Sequence, residues 1–135
     1  MNYLLDTNIC IYLIKRKPPE VLQRFLQLPP SSIFISSITT SELYYGAQKS
    51  QRVHTNLEAL NQFLLSFRIV DYDESASFLY GELRADLEKR GQPIGSLDMM
   101  IAAHALSLDV PLVTNNTKEF ERVKGLKLEN WVNYS

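Results

Sequence analysis

Apolar residues along the chain follow two rhythms, short unbroken runs and longer stripes at three- and four-residue spacing. Tyr3-Leu4-Leu5 is a run that ends directly on Asp6. An unbroken apolar run suits a central strand of a parallel sheet, covered on both faces. Residues 33–38 are β-branched and aromatic and predict a second strand. Residues 68–72 predict a third, 110–114 a fourth, and 126–129 an edge strand before Trp131. Helical stripes lie between them. Ile9, Tyr12 and Leu13 mark a helix over 8–17, which Lys15-Arg16-Lys17 and Pro18-Pro19 end. Val21, Leu22, Phe25, Leu26 and Leu28 mark a second helix. Thr39-Thr40-Ser41-Glu42 is a capping-box pattern opening a third over 43–49. Val53, Leu57, Leu60, Leu64 and Phe67 form the stripe of a fourth. Asp73 is placed to cap a long helix with Ala76, Leu79, Tyr80, Leu83 and Leu87 inside. Ser96 is placed to cap the next, where Asp98, Ile101, Ala102 and Ala105 share a face. A short turn of helix is expected at 118–121. Strands alternating with helices predict one α/β domain over 1–135, a central mostly parallel sheet of four to five strands flanked by helices.

Composition narrows the setting. With 45% hydrophobic and 21% charged residues in 135, the chain has the make-up of a globular domain. Its net charge of −1 excludes a polycation, so binding nucleic acid would need a local basic patch, a bound metal or a partner's charge. One cysteine, Cys10, excludes an internal disulfide and fits a reducing, cytoplasmic setting. Asp6 interrupts the first apolar run too early for a signal peptide, and no run approaches a membrane span.

Four acids share one setting. Asp6 follows the first strand, Glu42 opens the helix after the second, Asp98 opens the helix before the fourth, and Glu119 lies in the short helix after it. Each has a bland account as a helix cap or dipole complement; Asn116-Thr117-Lys118-Glu119 is itself a capping-box pattern. Jointly that account weakens, because elements leaving neighbouring parallel strands open at the same sheet edge, where α/β folds place ligand crevices. Carboxylates crowded together without His or Cys call for a hard cation, Mg²⁺ or Mn²⁺. His104 points to another face of its helix than Asp98 and reads as packing or surface. His54 has no evident partner, and Cys10 reads as a small core residue. Tyr44-Tyr45 offers a stacking surface for an unpaired base, with at least one of the two expected in the core.

Four blocks, Leu4-Leu5-Asp6-Thr7-Asn8, Ile38-Thr39-Thr40-Ser41-Glu42-Leu43, Asp98-Met99-Met100-Ile101-Ala102-Ala103-His104-Ala105 and Leu112-Val113-Thr114-Asn115-Asn116-Thr117-Lys118-Glu119-Phe120, resemble the motifs of PIN-domain ribonucleases. The likeness runs furthest with the VapC-type toxins of type II toxin–antitoxin systems and spans essentially the whole chain. It implies that Asp6, Glu42 and Asp98 bind a divalent metal, with Asn8 supporting by hydrogen bonds. At the fourth position Asn116 stands where many PIN domains have Asp, so Glu119 is the candidate to complete the acids, with Thr7, Thr114 and Asn116 as supports. The resemblance implies an Mg²⁺-dependent endoribonuclease that cuts RNA, tRNA foremost, to inhibit translation. It also implies an antitoxin whose C-terminal Arg or Lys fills the acidic crevice. A homodimer is expected through the faces bearing Leu57/Leu60/Leu64 and Ile11/Tyr12. Two alternatives stand beside it: another Mg²⁺-dependent α/β phosphohydrolase, and a non-catalytic protein-binding module of the same fold. An aspartate-nucleophile phosphatase usually has a second Asp two positions after the first, where this chain has Asn8.

Overall fold

The first strand, β1 (Tyr3–Leu5), is buried at every position and lies in the middle of the sheet. A computed structural model describes residues 1–132. Side chains alternate across a strand, so Leu4 enters one apolar layer while Tyr3 and Leu5 enter the other. Both layers are apolar, which is why the run carries no polar residue. In β2 (Ile33–Ser36) and β4 (Leu112–Val113) the same division holds: Phe34 and Leu112 join the first layer, Ile33, Ile35 and Val113 the second. With β3 (Arg68–Val70) and β5 (Leu128–Glu129) these make, among the described residues, five strands in the order β3-β2-β1-β4-β5. Every pairing is parallel.

Helices cover both faces. On one side lie α1 (Thr7–Lys15), α2 (Pro19–Leu26), α3 (Ser37–Gln48) and α4 (Val53–Leu64), contributing Ile9, Cys10, Val21, Leu43 and Leu60 around a fully buried Trp131. On the other lie α5 (Glu74–Lys89) and α6 (Ser96–Leu108), whose Leu83, Leu87, Ile101 and Ala105 pack on Leu4 and Leu112. A single turn, α7 (Thr117–Phe120), follows β4 and seats Phe120 in the same layer. No helix among the described residues is long and apolar enough to cross a membrane.

The strand order reverses between β1 and β4: the chain builds outward to β3 on one side, then returns to start again on the other. Crevices open at such switch points, outside the carboxyl ends of the strands. Leu5 pairs with Val113 there, so Asp6 and Thr114 leave the sheet side by side, and the Asp6 N–H donates to the Val113 carbonyl at 3.0 Å.

Several local expectations are corrected. The second strand ends at Ser36 instead of continuing to Ile38, because the Ser36 hydroxyl caps α3 by accepting the Ile38 N–H at 3.0 Å. Thr39 is thus a buried residue inside the helix, not its cap, and Glu42 stands in the second turn. Gly95, not Ser96, is the N-cap of α6, and no side chain bonds to that terminus. Tyr44 and Tyr45 are both exposed, at 40% and 65%, so neither belongs to the core. His54 does have a partner, Glu58, at 3.1 Å one turn on. Of the residues expected to join two copies, Leu60 is buried in the second apolar layer, while Leu57, Leu64, Ile11 and Tyr12 are partly buried against it.

Candidate active site

Asp6 combines two duties. It is the N-cap of α1, its Oδ1 accepting the Ile9 N–H at 2.9 Å, and it is a carboxylate only 5% exposed. Burial disfavours its charge and pushes its pKa up to about 6. Hydrogen bonds from Thr114 and the Ile9 backbone oppose the rise, while the charges of Asp98 and Glu42 add to it. Among the described residues no Lys or Arg pairs with Asp6, Glu42, Asp98 or Glu119. A buried carboxylate with acids and no base around it is costly to hold ionised.

Two further acids, Asp98 and Glu42, act on it, and Glu119 acts on Asp98. Asp98, half-buried in the first turn of α6, has its pKa raised by burial, then by Glu119, then by Glu42. A side chain at Gly95 would put its Cβ 3.4 Å from Asp98 Oδ2, so the bare N-cap leaves that carboxylate room. Glu42 accepts from the Thr7 hydroxyl, Oγ1 to Oε1 2.6 Å, a bond that joins α1 to α3. Glu119 accepts from the Asn116 amide, Nδ2 to Oε2 2.9 Å, while the Asn116 N–H donates to Thr114 Oγ1 at 2.9 Å. Neither expected capping box forms: Glu119 holds the side chain of its cap residue, not the backbone N–H, which Thr114 has taken. Thr114, fully buried, therefore binds Asp6 and the turn carrying Glu119 at once.

All four acids predicted from the sequence thus come to one sheet edge, linked by their electrostatics through Asp98. Thr7, Thr114 and Asn116 do support acids; Asn8 lies exposed at the mouth of the groove and makes no side-chain hydrogen bond among the described residues. Also among the described residues, no group of three or more His, Cys, Asp or Glu side chains is placed so that it could hold a metal ion. Glu42, Glu119 and Asp6 are each held by hydrogen bonds, and Asp6 and Asp98 are the two acids whose charge burial disfavours. The donor set is oxygen only, and Mg²⁺ characteristically uses one or two carboxylates while keeping several waters. On that chemistry the residues fit the ion.

Sequence reasoning missed one buried polar link. His104 on α6 meets Ser36 at the end of β2, Nδ1 to Oγ 2.8 Å, with Tyr72 edge-on at 5.6 Å. Since Ser36 Oγ already accepts from Ile38, its own hydrogen is free for Nδ1. The link ties the helix carrying Asp98 to the cap of the helix carrying Glu42. Burial holds the His104 pKa below its ordinary value, so the ring stays neutral. The sequence signal was the serine before a helix that was expected to start later.

A family model described as PIN domain matches residues 3–126. The chain is 47% identical over 131 residues to the tRNA(fMet)-specific endonuclease VapC of Shigella flexneri, covering 97% of this chain and 98% of that protein. It is 48% identical over 132 residues to ribonuclease VapC2 of Haemophilus influenzae, covering 98% and 99%. Among solved structures, VapBC2 from Rickettsia felis bound to a DNA fragment from its promoter superposes with a TM-score of 0.91 at 44% identity, over 97% of this chain and 99% of that one.

Proposed function

From the premise that this chain belongs to the PIN-domain family, and within it to the VapC ribonucleases of toxin–antitoxin systems, we propose that it is a Mg²⁺- or Mn²⁺-dependent endoribonuclease toxin that cuts tRNA to stop translation. The observation that carries the metal dependence is Asp6: a buried carboxylate beside the charges of Asp98 and Glu42, ion-paired to no Lys or Arg among the described residues, at the switch point of the sheet. Asp6 and Asp98 would hold the ion, with Glu42 assisting directly or through water. A divalent ion bound there supplies a water of lowered pKa and positive charge opposite the attacked phosphate.

The protein's own part is positioning. Thr114 and the Ile9 N–H fix the Asp6 carboxylate, and Thr7 fixes Glu42. Asn116 holds Glu119 at the rim, where its charge acts on Asp98 and where it can accept a proton from water. Attack by water, not by the neighbouring 2′-hydroxyl, leaves a 5′-phosphate and a 3′-hydroxyl. The initiator tRNA named for the Shigella flexneri relative is the first substrate to try.

The cognate antitoxin is the proposed partner, since the matched structures are toxin–antitoxin complexes. An apolar groove lined by Ile11, Ile14, Leu43 and Leu60 adjoins the acids through Glu42. A segment lying along it would bring an Arg or Lys onto the carboxylates and take the metal's place. A homodimer remains part of the reading, and light scattering at micromolar concentration tests it.

The direct test is cleavage of purified tRNA with sequencing of the ends. Asp6→Asn and Asp98→Asn are expected to lose at least 100-fold in rate (roughly 3 kcal/mol of barrier) while keeping a folded circular-dichroism spectrum. Full activity in EDTA would sink the metal-dependent reading, and unfolded variants would make the acids structural.

A further inference from the structure

The geometry points to a nucleotide-binding subsite on α3, in which Tyr45 stacks an unpaired base of the RNA and Lys49 binds its phosphate. This rests on the ribonuclease reading and adds where the substrate is held. Glu42 and Tyr45 on α3 and Lys49 at its C-cap follow one another at three and four residues, so they lie along one side of the helix. The three also line one groove, about 670 Å³ in volume, together with Thr7, Asn8 and Met100. That volume falls in the range of small-molecule sites, roughly 300–1,000 Å³. Three residues of helix carry the chain ~4.5 Å along its axis from Glu42 to Tyr45.

Two features mark the pair as a binding surface. Tyr45 is 65% exposed, and Lys49 Nζ lies 4.9 Å from its ring centroid, so a cation and a stacking face are already held together. Lys49 is also the basic side chain lining the groove that Glu42 lines. In a chain of net charge −1, a polyanion approaching four carboxylates needs a local cation to offset the repulsion. Base–aromatic stacking tolerates any base, so this subsite contributes affinity and register, and specificity must come from elsewhere.

Tyr45→Ala, Tyr45→Trp and Lys49→Ala are compared with wild type in two assays: steady-state tRNA cleavage with Mg²⁺, and fluorescence anisotropy of a labelled single-stranded RNA without metal. Tyr45→Ala is expected to raise KM and Kd about ten-fold with kcat within about three-fold, and Tyr45→Trp to restore both. Lys49→Ala is expected to weaken binding and to lower the slope of log K against log salt by about 0.7, the single-strand value for one phosphate contact. Both side chains are exposed, so the variants are expected to fold as wild type does. Wild-type KM, Kd and salt slope in Tyr45→Ala and Lys49→Ala would overturn the subsite and leave the pair to a protein contact. If no variant or wild-type protein cuts RNA, yet anisotropy shows the expected losses, the ribonuclease reading fails while the subsite stands.

Discussion

At the scale of single residues, Asp6 sets a conflict between stability and function. Its folded-state pKa of about 6 lies above the ordinary 3.8, chiefly through burial. The metal-free folded protein therefore binds this proton more tightly than the unfolded chain does. The stabilisation is complete below about pH 4 and is lost as pH rises through about 6, costing on the order of 2–3 kcal/mol at pH 7. Asp6→Asn keeps the cap on α1 and removes that cost. Its melting temperature without metal is expected to exceed wild type at pH 7.5, with the difference vanishing near pH 4; a lower value at both would contradict the assignment. The fourth position gives a second prediction. Glu119→Gln is expected to slow cleavage more than Asn116→Ala does. Asn116→Asp loses the amide that holds Glu119 and sets a like charge against it. It is therefore expected to melt below wild type in EDTA and to recover with Mg²⁺, as a two-condition melting experiment would show.

At the scale of elements, what the sequence made legible was whatever rested on repetition. The buried runs of β1 and β2, the stripe of α4 and the Asp73 cap of α5 all come from side chains repeating at the period of their element. The start of α3 was not legible, since Ser36-Ser37-Ile38-Thr39-Thr40 contains β-branched residues and several hydroxyls able to cap. The choice of Ser36 rests on tertiary partners, with His104 against Ser36 and the Tyr72 N–H on Ser37 Oγ. The four acids were legible because each follows or opens an element at the same sheet edge. Their individual hydrogen bonds were not, because Thr7–Glu42 spans 35 residues. Gly46 shows how α3 is adapted to its groove. A Cβ there meets nothing within 4 Å, so Gly46→Ala should gain roughly 0.5–1 kcal/mol from helix propensity. It would also narrow the groove that Gly46 lines with Ile11, Tyr45 and Lys49. Urea unfolding is expected to show the gain and cleavage kinetics a raised KM; an unchanged KM would mean that the groove is not used by substrate.

At the scale of the molecule, a parallel sheet buried on both faces makes a rigid platform, and its switch point brings Asp6 and Thr114 together. The acids gathered there repel both one another and any nucleic acid. A divalent cation held by Asp6 and Asp98 is proposed to resolve this repulsion. Titration of Mn²⁺ into the metal-free protein by isothermal calorimetry at pH 7.5 tests this most directly. Saturable binding to wild type is expected, weakened at least ten-fold by Asp6→Asn and by Asp98→Asn alike. Binding of equal strength in all three proteins, or none in wild type, would contradict it.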